Sequence, residues 1–164
     1  MNDINKNDFY RHIGVYGICV NGNRLLVIEK LLGPYTGQYD LPGGRLEGNE
    51  SLEQAITREI AEETGVTTVK LSSIGTCDFS VLWTRKDNTM ERLHHIAMMY
   101  EVELNIEQPP GVIHRFEGQD SGRAIWLSLR DVTIKNSSPL VLQAVEWINS
   151  STLPITCKPF DYST

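Results

Sequence analysis

Three glutamates, Glu59, Glu62 and Glu63, stand at spacings i, i+3 and i+4 inside a stretch, residues 51–64, that contains no Gly or Pro and is rich in Leu, Glu, Gln, Ala, Ile and Arg. That composition predicts a helix, and Gly65 directly after it predicts its C-cap. Laid out at about 100° per residue from Leu52, the apolar positions Ala55, Leu52, Ile56 and Ile60 span an arc from about 300° to about 80°. Glu62, Glu59 and Glu63 fall at about 280°, 340° and 20°, on the same arc, whereas Glu53, Gln54, Thr57 and Arg58 occupy the opposite side. A solvated acidic turn would have its acids opposite the apolar stripe. Carboxylates at these spacings also repel one another, raise each other's pKa and oppose the helix dipole at the C-terminal end. A divalent cation among them resolves all three conflicts. An all-oxygen donor set selects a hard ion, Mg²⁺ or Mn²⁺, over Zn²⁺, which prefers His and Cys.

The elements that must position these acids are those of one small domain. The chain has 164 residues, 40% of them apolar and 22% charged, the size and composition of a single globular unit. Its formal charge of −6 repels a phosphate backbone, so nonspecific nucleic-acid binding is not expected. A single small polyanion remains compatible with that charge once a metal ion neutralises it. No apolar run reaches the roughly 18 residues that span a bilayer, and residues 1–7 are polar, so neither export nor membrane insertion is predicted. Cys19, Cys77 and Cys157 are widely spaced and odd in number, which fits a reducing cytoplasm. Along the chain, residues 12–20 and 24–30 read as a β-hairpin about Asn21-Gly22-Asn23, with a short extended piece at 39–41 before Pro42-Gly43-Gly44. Residues 68–84 and 92–104 read as a second, long hairpin, 123–129 as a strand and 139–149 as a closing helix with Pro139 at its start. The segment from about 152 reads as a surface tail. This order gives an α/β or α+β domain with a mixed sheet.

Gly44, Glu50, Arg58-Glu59-Ile60, Glu62-Glu63 and Gly65-Val66 follow one another at spacings that reproduce the whole Nudix box over 44–66, with no position departing from it. At ordinary residue frequencies that agreement arises by chance about once in a million chains of this length. The chain resembles a single Nudix domain over most of its length, since Leu41-Pro-Gly-Gly44 and the flanking elements also fit. The resemblance implies an α/β/α sandwich around a mixed central β-sheet. It implies Mg²⁺- or Mn²⁺-dependent hydrolysis of a phosphoanhydride bond in a nucleoside diphosphate linked to a further group X. By position, Gly44, Glu59, Glu62 and Glu63 are implied metal ligands, and Glu59, Arg58 and Glu63 the catalytic group. One glutamate serves as general base, with Glu59 the first choice, and Arg58 orients the carboxylates of the box. Glu117-Gly118-Gln119 resembles the segment that supplies an extra carboxylate in MutT-type nucleoside triphosphate pyrophosphohydrolases. That likeness makes Glu117 a further candidate ligand, a solvated loop acid being the alternative, and it makes a nucleoside triphosphate or related nucleotide the first expectation. ADP-ribose or a nucleotide sugar is the alternative substrate, and a nucleotide-sensing domain without turnover the alternative role.

Outside the box, Lys30 is placed to meet a phosphate and Tyr39 to contact substrate. Tyr35, Phe79 and Trp83 could stack on a base, although aromatics in strands more often belong to the core. Glu101 and Glu103 read as outward positions of an alternating strand. His94 and His95 are adjacent in a strand, so they face opposite ways and make a poor metal pair. In MutT-type enzymes that cleave 8-oxo-dGTP, an Asn two residues before the helix-start proline reads guanine; that position is Ser137, with Asn136 one place off. Neither nucleic acid nor a membrane is an expected partner, and a homodimer is an assembly open to the chain.

Overall fold

A computed structural model describes residues 9–105, 107, 110 and 120–163. Among the described residues, nine strands and two α-helices follow in the order β1 (Phe9–Ile18), β2 (Val20–Asn21), β3 (Arg24–Lys30), β4 (Tyr39–Asp40), β5 (Gly43–Gly44), α1 (Leu52–Thr64), β6 (Thr68–Thr84), β7 (Met90–Leu104), β8 (Ser121–Ser128), α2 (Pro139–Ser150) and β9 (Lys158–Tyr162), with a short 3-10 helix at Leu129–Asp131 before α2.

The strands form two sheets. One has the order β5-β1-β7-β6-β9 and is mixed: β1 runs parallel to β7 and β6 parallel to β9, while β1–β5 and β6–β7 are antiparallel. The other is antiparallel, with β2 and β4 along one edge of β3 and β8 along the other. Alternate residues of β1 and β3 feed two apolar layers, as the two-residue period of a strand requires. Val15 and Leu26 join Ala55, Ile56 and Ile60 of α1 on one side. Tyr16, Ile18, Leu25 and Val27 join Leu140, Val141 and Ala144 of α2 on the other. A helix therefore covers each side, which is the expected α/β/α layering.

Helix α1 begins with a reciprocal cap, Ser51 Oγ accepting from Gln54 N and Gln54 Oε1 accepting from Ser51 N. It ends at Gly65, which adopts a left-handed conformation with φ 70° and donates its N–H to Ala61 O. Burial on α1 begins at Ala55, a turn later than expected, and Leu52 is exposed. Ser138 caps α2 ahead of Pro139 and also donates its hydroxyl to Asp40 at 2.6 Å.

Two strand expectations change as well. The first hairpin is confined to Val20–Leu25 and Asn21–Arg24; β1 leaves its apparent partner and pairs with β7 in the other sheet. The expected surface tail contains β9, whose residues 158–162 pair in parallel with 79–83 of β6. Its Phe160 packs edge-on against Phe79, giving the strand an apolar anchor that its sequence, broken by Pro154 and Pro159, did not advertise.

Candidate active site

Strands β1, β3 and β5 and helix α1 surround a cleft of about 390 Å³, which Tyr35, Trp83 and Leu93 line on its apolar side. Glu63, buried on α1, turns into it and accepts a hydrogen bond from Gly43 N at 2.8 Å. Gly43 has φ 145°, and a Cβ on it would lie 2.1 Å from Val15 O, so a glycine is required for this amide to reach the acid. Burial pushes the Glu63 carboxyl up to about 8; Lys30 and the Gly43 amide pull against that shift, and Glu59 and Asp120 add to it. Glu59 lies flush on the backbone of Gly44, where an added Cβ would stand 2.6 Å from its Oε1. Its carboxyl is raised as well, by burial first, against the opposing pull of Arg58.

Arg58 does not reach the cleft lining; it ties the acids to the loop before the helix. Its Nε and Nη2 clamp Glu50 at 3.1 and 2.7 Å, Nη1 donates to Glu59 at 3.0 Å and Glu62 at 3.2 Å, and Nη2 also donates to Arg45 O at 3.0 Å. Such a planar fork fixes carboxylates in direction as well as distance. The three helix glutamates consequently diverge. Glu62 stays 48% exposed beside Arg58, whereas Glu63 turns inward to Gly43.

Opposite the acids, Lys30 pairs with Asp120 at 2.7 Å. Burial works against its charge, yet Asp40, Glu63 and Asp120 together leave its pKa above the ordinary value. Beside it runs a row of hydrogen bonds with one self-consistent direction, assigned from the donors present. Arg45 Nε donates to His12 Nδ1 at 3.2 Å, leaving His12 Nε2–H to donate to Tyr16 Oη at 2.9 Å. Tyr16 then donates to His95 Nε2 at 2.8 Å, and His95 Nδ1–H donates to Tyr35 Oη at 3.2 Å. Both imidazoles are neutral in that scheme. Burial, then Lys30, lowers His12 to about 4, and burial, then His12, takes His95 well below its ordinary value.

Residues 10–148 match the model of the NUDIX domain. The chain belongs to the Nudix family. Over 66 residues it is 41% identical to an ADP-ribose pyrophosphatase of Methanocaldococcus jannaschii, a match covering 39% of each chain. It is 35% identical to an 8-oxo-dGTP diphosphatase of Proteus vulgaris over 66 residues, 40% of this chain and 59% of that one. These matches thus span 39% and 59% of the curated relatives' lengths. In fold it is similar to a MutT Nudix hydrolase of Burkholderia pseudomallei, with a TM-score of 0.64 and 24% identity over 84% of this chain and 97% of the other. It is similar also to the Nudix domain of Shewanella oneidensis NrtR complexed with ADP ribose, with a TM-score of 0.58 and 19% identity over 92% and 94%.

The Nudix box contributes Gly44, Glu59 and Glu63 to the cleft. Gly14 keeps a side chain off the Gly44 carbonyl, since a Cβ there would lie 2.8 Å from that oxygen. Glu59, Glu63 and this carbonyl make an all-oxygen set around an open cleft. It suits an ion that keeps several waters and takes one or two carboxylates, as Mg²⁺ does. Lys30 lines the cleft, but Tyr39 does not: its neighbour Asp40 does, because adjacent residues of β4 face opposite ways. Glu117 lies outside the described residues; Asp120, three residues on, is the acid at this edge of the cleft. Phe79 is buried in the core, while Tyr35 and Trp83 border the cleft. Glu101 and Glu103 are exposed. The Asn136 amide is engaged in its own turn, with Thr133 N and Asp131 O.

Sequence reasoning passed over His12, Tyr16, Asp40, Arg45 and Asp120, and weighed His95 only as one of an adjacent histidine pair. One signal was available: His12 and Tyr16 stand at i and i+4 on one face of a strand, polar groups in a run that is otherwise apolar.

Proposed function

We propose that this Nudix protein hydrolyses a phosphoanhydride bond in a nucleoside triphosphate or related nucleoside diphosphate linked to a group X, using Mg²⁺ or Mn²⁺. The observation that carries the reading is the pair of carboxylates that share one cleft with Lys30, Glu63 buried and Glu59 largely so. Burial of two acids is unfavourable without a cation, and their raised pKa values express that cost. The bound metal supplies charge neutralisation on the phosphate oxygens and a water activated for in-line attack.

The protein's own groups do the positioning. Glu59 and Glu63, with the Gly44 carbonyl, hold the metal, and the Gly43 N–H fixes the rotamer of Glu63. Arg58 holds Glu59 from outside the cleft, so that its second oxygen is left for the metal or for the proton of the attacking water. Lys30 offers a cation to the polyphosphate, held by Asp120 rather than free to swing. Glu62 takes a supporting part through Arg58, and it reaches the metal after a rotamer change. Tyr35, Trp83 and Leu93 give the cleft an apolar wall for a base or sugar.

ADP-ribose is the second substrate reading, supported by the relative of that name at 41% identity. The test is Mg²⁺-dependent release of phosphate, pyrophosphate or nucleoside monophosphate from nucleoside triphosphates, modified dNTPs, ADP-ribose, nucleotide sugars and dinucleoside polyphosphates. One substrate well above the rest, with the loss of its turnover in Glu63→Gln, is the expected result. Inactivity of folded protein toward every member with both Mg²⁺ and Mn²⁺ would overturn the reading.

A further inference from the structure

On the five-stranded sheet, the face turned away from the cleft carries a second cluster of ligand-type side chains. Asp78 in β6 stands between β7 and β9. Ser80, two residues on, pairs with His94 in β7, so His94 lies diagonal to Asp78 on the same face, and Cys157 directly precedes Lys158, the first residue of β9 to pair, opposite Phe79. Strand alternation sends Phe79 and His95 inward and leaves Asp78 and His94 on the outer face. One oxygen, one nitrogen and one sulfur of these three residues lie within 4.8 Å of one another. Among the described residues no other group of three His, Cys, Asp or Glu side chains does so, the helix glutamates included.

We propose that Asp78, His94 and Cys157 form a zinc site, separate from the Nudix cleft, that fastens the start of β9 to the sheet. The metal-free hydrogen bonding already has the required shape. His94 Nε2–H donates to Asp78 Oδ2 at 2.7 Å, and the Cys157 thiol donates to the same carboxylate. An ordinary His–Asp pair needs no third member. Two donors of different kind converging on one acid occupy, with their protons, the place of a single cation. On zinc binding the imidazole proton moves from Nε2 to Nδ1, which gives up only a 3.4 Å contact from Arg11 Nε, and the thiol proton goes to solvent. One proton is released. The thiolate and carboxylate then balance the 2+ charge, and water takes the fourth position of a tetrahedron.

A sulfur–nitrogen–oxygen set prefers Zn²⁺, just as the oxygen set of the cleft prefers Mg²⁺ or Mn²⁺. Tetrahedral zinc bonds place their ligand atoms about 3.3–3.6 Å apart. Small rotations supply that geometry, because the Cys157 side chain is exposed and free to close on its partners. The consequence reaches the cleft wall. Strand β9 carries Tyr162 against Tyr35, with ring centroids 6.2 Å apart, and Tyr35 lines the cleft.

The experiment is titration of the full-length protein, under a phosphine reductant, with Co²⁺ as a coloured probe and Zn²⁺ as competitor. A thiolate-to-cobalt absorption band that saturates at one equivalent and is displaced by Zn²⁺ is expected in the wild type. The band persists in Glu59→Gln/Glu63→Gln, since carboxylates give no such transition. It is absent in Cys157→Ser, and affinity falls at least about tenfold in Asp78→Asn and His94→Gln. Cys19 and Cys77 are buried and cannot substitute. No thiolate band in the wild type, a band that survives Cys157→Ser, or unchanged affinity in both Asp78→Asn and His94→Gln would overturn the site.

Discussion

Replacing Glu63 by Gln should make the metal-free protein more stable while abolishing turnover. The carboxyl is buried, and its pKa stands at about 8 against an ordinary value of 4.5. Between those two values the folded protein keeps a proton that the unfolded chain has lost, so stability falls as pH rises through that window and stays low above it. Over about 3.5 pH units, at about 1.4 kcal/mol each, the full penalty is on the order of 5 kcal/mol; relaxation and water entry bring it to about 2–5. Gln is isosteric, carries no charge and keeps an oxygen to accept from Gly43 N. In EDTA at pH 9 the variant should therefore melt about 5–15 °C above the wild type. The gap should close toward pH 4.5, where both side chains are neutral. Adding Mg²⁺ should raise the wild type and leave the variant nearly unmoved, because the carboxylate is the proposed ligand. Calorimetric or circular-dichroism melts across pH 4.5–9, with and without Mg²⁺, measure each arm. Equal or lower stability of Glu63→Gln at pH 9 without metal would refute the claim that this acid is held at a cost the cation relieves.

Gly43→Ala should be the more damaging of the two box-glycine substitutions, costing about 3 kcal/mol or more, since its Cβ meets the Val15 carbonyl at 2.1 Å and its φ is 145°. Gly44→Ala meets only the carboxylate end of the Glu59 side chain rather than backbone, so the melt should be near normal while turnover falls at least about tenfold from a displaced carboxylate. Arg58→Lys keeps the charge but loses the fork that clamps Glu50 and steadies Glu59; turnover about 100-fold down is expected, with Lys no better than Ala. His12 has a lowered pKa of about 4 when folded and 6.5 when unfolded. Its stabilising effect is thus complete above pH 6.5 and lost as pH falls toward 4, up to about 3 kcal/mol, and His12→Gln should flatten the melting profile over that range. Tyr16→Phe should cost about 1–3 kcal/mol by leaving His12 and His95 without their shared hydroxyl, as read from denaturant melts.

The sequence determined the box, because each of its relations is local. The i, i+3, i+4 spacing of acids, the glycines before the helix, the Ser51–Gln54 cap and the Gly65 stop all lie within 23 consecutive residues, and helix geometry alone turns Glu59 and Glu63 toward the cleft, though it placed Glu62, which is exposed, on the same side. It also marked out the long β6–β7 hairpin and both helices. Tertiary structure decided everything that depends on which strand lies next to which. His12 meets His95 only because β1 pairs in parallel with β7, across 83 residues, and a strand's alternation says which residues share a face but not what that face will touch. The same limit hid the move of β1 into the second sheet, the docking of β9 and the meeting of Asp78, His94 and Cys157. Even within the helix, spacing left Glu59, Glu62 and Glu63 equivalent. Their division of labour came from Arg58, which reaches across eight residues to Glu50 and holds Glu62 outside, while Gly43, twenty residues earlier, draws Glu63 in. Periodicity fixes direction within one element; only packing fixes the partner, because burial and hydrogen-bond satisfaction are settled over all elements at once.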